Sequence, residues 1–217
     1  MKLLHRYCLF ITGLFFMAFG ICLIIKGCLG SSPISSVPYI LSLNYTWSLG
    51  VFTFIINMLM LLAQILILKR HFKLLQFLQI PMTMIFTFFI DMVMHILSFY
   101  TPEIYGMKLF ITLLGSLSLG FGVALQVIGN VVMLPGEGLV YAIATHWNYE
   151  FGKTKTFFDS GLVVIAALLS LYFTSTIEGL REGTVISALI VGSIARFFIQ
   201  KLSTVDKYGR ISLWFIK

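Results

Sequence analysis

Six apolar runs separated by short polar punctuation occupy positions of about 8–25, 50–68, 75–97, 109–131, 156–173 and 184–199. Each comes near the roughly 20 residues that a helix needs to cross hydrocarbon. Only a helix or a closed barrel satisfies its backbone polar groups there, so the pattern predicts six transmembrane helices. The third run carries Pro81 near its start, and the fourth is rich in glycine. Two stretches between the runs, 27–48 and 132–149, are apolar but too short for a crossing once their prolines and glycines are discounted. They are expected to be re-entrant or broken half-helices, a form tolerated at membrane depth only inside protein or along a wet cavity.

The two short stretches echo one another. An interval of 102 positions separates Pro33 from Pro135 and Tyr39 from Tyr141, and the same interval joins Gly13 to Gly115, Gly20 to Gly122, Gly27 to Gly129 and Gly50 to Gly152. Glycine and proline fix unusual backbone, so their recurrence in register points to an internal duplication. The third run of each half corresponds at an interval of 105, which sets Asp91 against Arg196. The expected fold is therefore all-α: one polytopic membrane domain over 1–217, with repeat 1 at about 8–100, repeat 2 at about 107–202 and a basic tail at 203–217. Three crossings per half make the repeats inverted in topology. The two half-helices then enter from opposite faces and meet near the midplane.

Composition supports that class. Apolar residues make up 59% of the chain and charged ones 11%, too few to cover a soluble domain of 217 residues. The formal net charge of +7 has its source in the positive-inside rule rather than in nucleic acid. Lys2, Arg6, Lys69, Arg70, Lys73, Lys153, Lys155 and Lys201 fall on one side of a six-helix arrangement, with Lys207, Arg210 and Lys217 of the tail. The other side receives Lys26, Lys108 and Arg181 among three glutamates. Both termini are thus expected in the cytoplasm. Cys8, Cys22 and Cys28 lack paired or metal-type spacing and are expected to be packing residues.

Candidate chemistry concentrates in the two echoing stretches. In Leu29-Gly-Ser-Ser-Pro-Ile-Ser-Ser36, Ser32 suits a helix cap and Pro33 the first helical position. Leu134-Pro-Gly-Glu-Gly-Leu139 repeats the proline and puts Glu137 in the first turn. Exposed N–H groups at such starts attract anions or polar oxygens. They form either a binding site or two tight turns. The candidate binding residues are Ser31, Ser32, Pro33, Ser35, Ser36 and Tyr39, with Pro135, Gly136, Glu137, Gly138 and Tyr141 opposite. Glu137 could carry a proton or bind a cation, or it could only stabilise the helix start. Asp91, Asp159 and Arg196 are the other intramembrane charges, and an Asp91–Arg196 pair would act as a gate or a structural tie. No nucleophile constellation, metal cluster or cofactor fingerprint is recognisable, so no enzyme activity and no cofactor are expected.

The stretches Gly27–Tyr39, Phe89-Ile-Asp91, Val132–Leu139, Phe151-Gly-Lys153 and Arg181-Glu-Gly-Thr184 resemble the YczE/YyaS/YitT group of bacterial integral membrane proteins, closest to its YczE-like branch. The resemblance spans nearly the whole chain. It implies a multi-pass protein of the bacterial cytoplasmic membrane, and it implies neither a substrate nor catalytic residues. The function expected from the residues is transport or export of a small solute, coupled to protons and bound at the repeat interface. The rival readings are the substrate-binding subunit of a multi-component vitamin importer and a non-transporting accessory protein of a biosynthetic complex. Expected partners are the lipid bilayer, an unidentified small solute and a second copy in a homodimer, with no nucleic acid.

Overall fold

The computed structural model describes residues 3–205 and 211–213. Its helices are α1 (Leu3–Lys26), α2 (Pro33–Asn44), α3 (Leu49–Leu68), α4 (Gln79–Ile96), α5 (Tyr105–Gly129), α6 (Pro135–His146), α7 (Phe151–Thr174) and α8 (Glu182–Leu202). Short 3₁₀ turns, Lys69–His71 and Leu74–Leu78, join α3 to α4. Six helical segments are long and apolar enough to cross a membrane, and α2 and α6 are the two short helices between them. The protein is an all-α membrane protein with six helices of spanning length.

Local chemistry sets the helix boundaries. Pro33 and Pro135 each open a helix, where the missing N–H costs nothing. Ser48 caps α3, its Oγ accepting from the Val51 N–H at 3.2 Å. Asn130 ends α5 and Ser175 ends α7 in left-handed conformation, which frees the chain to turn. Pro38 lies inside α2, so the Ile34 carbonyl loses its helical donor near the start of that helix.

α1 and α5 form the centre of the bundle. A side chain on Gly13 would strike the backbone of Gly122 and Gln126, and one on Gly20 the backbone of Gly115 and Leu119. As the numbering rises along α1 it falls along α5, so the helices are antiparallel. Close backbone approach at small residues multiplies dispersion contacts, the main attraction available between helices in lipid. Arg6 at the start of α1 clasps the far end of α5, donating to the carbonyls of Gly129 (3.0 Å) and Asn130.

α4 packs on α1 and α8 on α5, while α2 lies against α7 and α6 against α3. One core cluster joins α1, α4 and α5 through Phe10, Leu14, Phe86, Ile90 and Leu119. A second joins α2, α3, α6 and α7 through Val37, Ile40, Met60, Leu139, Leu162 and Ala166. The most apolar windows of α1 and α5 are 61% buried, those of α7 and α8 11%. The outer helices thus leave most of their apolar surface for lipid.

The interval seen in the sequence reappears in the elements. α2 and α3 begin at residues 33 and 49; α6 and α7 begin at 135 and 151, each 102 later. In α4, Gln79, Met82 and Ile90 are buried, and in α8 so are Thr184, Ser187 and Ala195, each 105 later.

One expectation needs correction. Only Cys22 packs in the core, its Sγ donating to the Ile90 carbonyl at 3.4 Å; Cys8 and Cys28 are exposed. Of the tail, Ser203–Val205 (β1) pairs antiparallel with Ile211–Leu213 (β2), in keeping with the strand preference of Thr, Val and Ile. Lys2, Lys207, Arg210 and Lys217 lie outside the described residues.

Candidate functional site

The start of α2 is anchored by its own polar side chains. Gly30, at φ +124°, makes the turn that only glycine takes without strain, and a side chain there would strike Thr184. The Ser31 N–H donates to Thr184 Oγ1 at 3.1 Å, and Ser31 Oγ to the Gly179 carbonyl at 3.3 Å. Ser32 holds the cap position but makes no capping bond to the backbone; its Oγ meets Ser35 Oγ at 2.6 Å. Ser36 Oγ donates to the Pro33 carbonyl at 2.7 Å and approaches the Leu162 carbonyl of α7 at 3.4 Å. All four serines are buried and all four hydroxyls are engaged within the protein.

The start of α6 is braced by amides instead. Gln64 of α3 and Gln79 of α4 are buried and face each other, each Nε2 donating to the other's Oε1 at 3.2 Å. Gln64 Nε2 also donates to the Pro135 carbonyl at 2.9 Å, and a side chain on Gly138 would strike the same amide. Among the described residues, two buried side-chain oxygens lack a hydrogen-bond partner: Thr83 Oγ1 and Glu137 Oε2. Thr83 lies one turn along α4 from Gln79, and Glu137 two residues after Pro135. A buried carboxylate oxygen without a partner is costly, so a group that holds one in place is a candidate for binding. Glu137 also lies in the field of Lys155 and Asp159, which pair one helical turn apart on α7 at 2.7 Å.

The two helix starts meet. A side chain on Gly136 would collide with the end of Ile34, and Ile34 plus 102 is 136. The apolar Ile34 thus covers the first turn of α6, and the second core cluster surrounds the junction.

Asp91 is held differently from expectation. Its Oδ2 accepts from Ser48 Oγ and its Oδ1 from the Gly50 N–H, both at 2.7 Å. It thereby anchors the first turn of α3, where a carboxylate complements the positive end of the helix. Arg196 is not its partner; that guanidinium is exposed on α8, and the expected Asp91–Arg196 pair does not form. A helix start offers N–H donors that no charge count along the sequence reveals.

Two open clefts flank Tyr39. One, of about 600 Å³, is lined by Asp91, His95, Ser42, Ser48 and Trp47. The other, of about 420 Å³, is lined by Cys28, Gly30, Glu178, Gly179 and Arg181. Tyr141, the counterpart of Tyr39, is 49% exposed on α6 and lines neither. The structure thus gathers the four serines at one helix start and Glu137 with Asp159 near the other, and leaves Asp91, Tyr141 and Arg196 apart.

A family model described as a family of unknown function (DUF6198) matches residues 4–200. The chain belongs to this family. Among curated proteins, it is 26% identical over 213 residues to the uncharacterized membrane protein YczE of Bacillus subtilis (strain 168), covering 96% of this chain and 92% of that protein. No solved structure matches it. The DUF6198 region includes every candidate residue named above.

Gln64, Gln79, Thr184 and Ser48 escape a reading that weighs charges first. A usable signal was present: uncharged polar residues inside apolar runs also need partners in lipid, and Gln64 interrupts such a run.

Proposed function

We propose that this protein is a secondary transporter of a small solute in the bacterial cytoplasmic membrane, built from two inverted repeats. The observation that carries the reading is the paired contact of α1 with α5. Gly13 meets Gly122 and Gly20 meets Gly115; adding 102 to the first member of either pair, and subtracting it from the second, turns one contact into the other. Contacts that exchange in this way imply a two-fold axis, and an axis relating antiparallel spanning helices lies in the plane of the membrane. Folds of this kind bind solute near the midplane, where discontinuous helices from the two repeats start.

Here those starts are α2 and α6, meeting at Ile34 and Gly136. The solute site is assigned to their junction, with Glu137 as the proton- or cation-carrying group and Asp159 with Lys155 on its approach from the basic side. Ser31, Ser32, Ser35 and Ser36 offer hydroxyls to the solute when the helices around them shift. Both termini lie in the cytoplasm, on the side of 69–73 and 153–155.

A thermal-shift screen of the purified protein against metabolites tests this. A ligand that binds only the folded state raises the apparent stability by mass action. The expected outcome is a solute that stabilises the native protein, loses its effect with Glu137→Gln or Ser35→Ala, and is moved by the protein in sealed vesicles. Binding without movement in vesicles would remove the transport reading.

A further inference from the structure

The two halves repeat their contacts with one omission. In the first half, α4 packs on α3: a side chain on Gly50 would strike the Thr87 carbonyl and the carboxylate of Asp91, and Asp91 accepts from Ser48 and Gly50. In the second half, α8 is seated on α5 as α4 is on α1, with buried positions matching at the interval of 105. The counterparts of Thr87 and Asp91 are then Gly192 and Arg196, and those of Ser48 and Gly50 are Glu150 and Gly152. None of them touches its equivalent partner. A side chain on Gly192 would meet nothing within 4 Å, one on Gly152 would meet only the Glu150 carboxylate, Arg196 is exposed, and Glu150 pairs with Lys153 at 3.1 Å in the open.

The chemistry of the vacant contact is complementary with its polarity reversed. In the first half, donors at the start of α3 meet an acid on α4. In the second, the equivalent positions hold an acid at the start of α7 and a cation on α8. A guanidinium alone would oppose the positive end of α7, and Glu150 at the cap supplies the charge that makes its approach favourable. Arg–carboxylate pairs form two parallel hydrogen bonds and so fix orientation as well as distance. Gly152 and Gly192 leave room for the backbones to close.

We propose that Glu150 and Arg196 form a latch that closes α7 onto α8 in a second conformation, while α3 and α4 part and Asp91 releases Ser48 and Gly50. This inference rests on the inverted-repeat reading above and adds to it the two pairs that exchange. The closed first half and open second half are one of two arrangements, and the other has those roles swapped. The latch replaces the exposed Glu150–Lys153 pair.

Cysteine pairs test it in the full-length chain in native membranes, with Cys8, Cys22 and Cys28 replaced. Ser48→Cys/Asp91→Cys reports the closed first half, and Gly152→Cys/Gly192→Cys, which keeps Glu150 and Arg196, reports the closure of α7 onto α8. With a short bifunctional thiol reagent, both pairs are expected to crosslink within one chain. In a four-cysteine chain, prior closure of the 48/91 pair should lower the 152/192 yield several-fold. On the 152/192 pair, Glu150→Gln should lower the yield several-fold, and joint reversal by Glu150→Arg with Arg196→Glu should restore it. Crosslinking at 48/91 with none at 152/192 overturns the latch, as does a 152/192 product found only between two chains, which would mean that a second copy covers this face. No solute is needed for these measurements, so a failed metabolite screen leaves their result standing, and an absent latch leaves the transport measurement intact.

Discussion

Residues 3–96 and 105–202 run through the same succession of elements, and they differ most in how each ends. In the first stretch the last helix is tied to its neighbour by a carboxylate holding a helix start. In the second, the last two helices stand apart with glycines facing open space. A contact made once in a chain that offers two places for it is a contact of choice rather than of necessity. The central α1–α5 pair, by comparison, is made symmetrically and leaves no alternative.

Substitutions should separate the symmetric centre from the unequal flanks. The largest effect is expected at the centre. Gly20→Leu places a side chain against the backbone of α5, and overpacking of this kind costs about 1–3 kcal/mol, occasionally more. Loss of folded protein, read by size-exclusion profile and thermal unfolding in detergent, should contrast with near-neutral Gly192→Leu; equal damage at both would break the comparison. Next comes the tie of the first half. Asp91→Ala removes two charge-assisted bonds, worth about 1.5–3 kcal/mol, so the unfolding midpoint should drop clearly, while Arg196→Ala should stay within about 0.5 kcal/mol.

The amide brace should follow. Gln64→Leu strands the Gln79 amide and the Pro135 carbonyl, at about 1–3 kcal/mol, and adding Gln79→Leu should recover part of that loss in a double-mutant cycle. The smallest effect is expected at Lys155→Ala, since the Lys155–Asp159 pair is partly exposed and such helical pairs contribute about 0.3–0.5 kcal/mol. A loss above about 1.5 kcal/mol there would show that the pair acts on Glu137 and not only on its own helix.

Much of this architecture could be read from residue order. Run length alone gave six spanning helices, and Pro33 and Pro135 marked the first residues of α2 and α6 because proline suits the first helical position. The interval of 102 was carried by glycines, and the central crossing explains them: a side chain at Gly13, Gly20, Gly115 or Gly122 meets backbone. Partners were harder to read. Opposite charge suggested Arg196 for Asp91, whereas the carboxylate takes N–H and hydroxyl donors at a helix start, groups that carry no formal charge. The serines looked like offered hydroxyls because spacing cannot reveal that Thr184, 153 positions away, and the loop carbonyl of Gly179 reach the same turn. Gln64 and Gln79 are hard to read because a neutral amide stands out less than a charge, although in lipid it too must be satisfied.

The clasp between Arg6 and the end of α5 bears on how the chain is made. α1 leaves the ribosome about a hundred residues ahead of the helix that covers its glycine face. Until then that face has only lipid or the insertion machinery for company. A nascent chain stopped before Tyr105 should therefore remain crosslinkable to that machinery through α1, and release should come only when residues 129–130 emerge to receive the arginine.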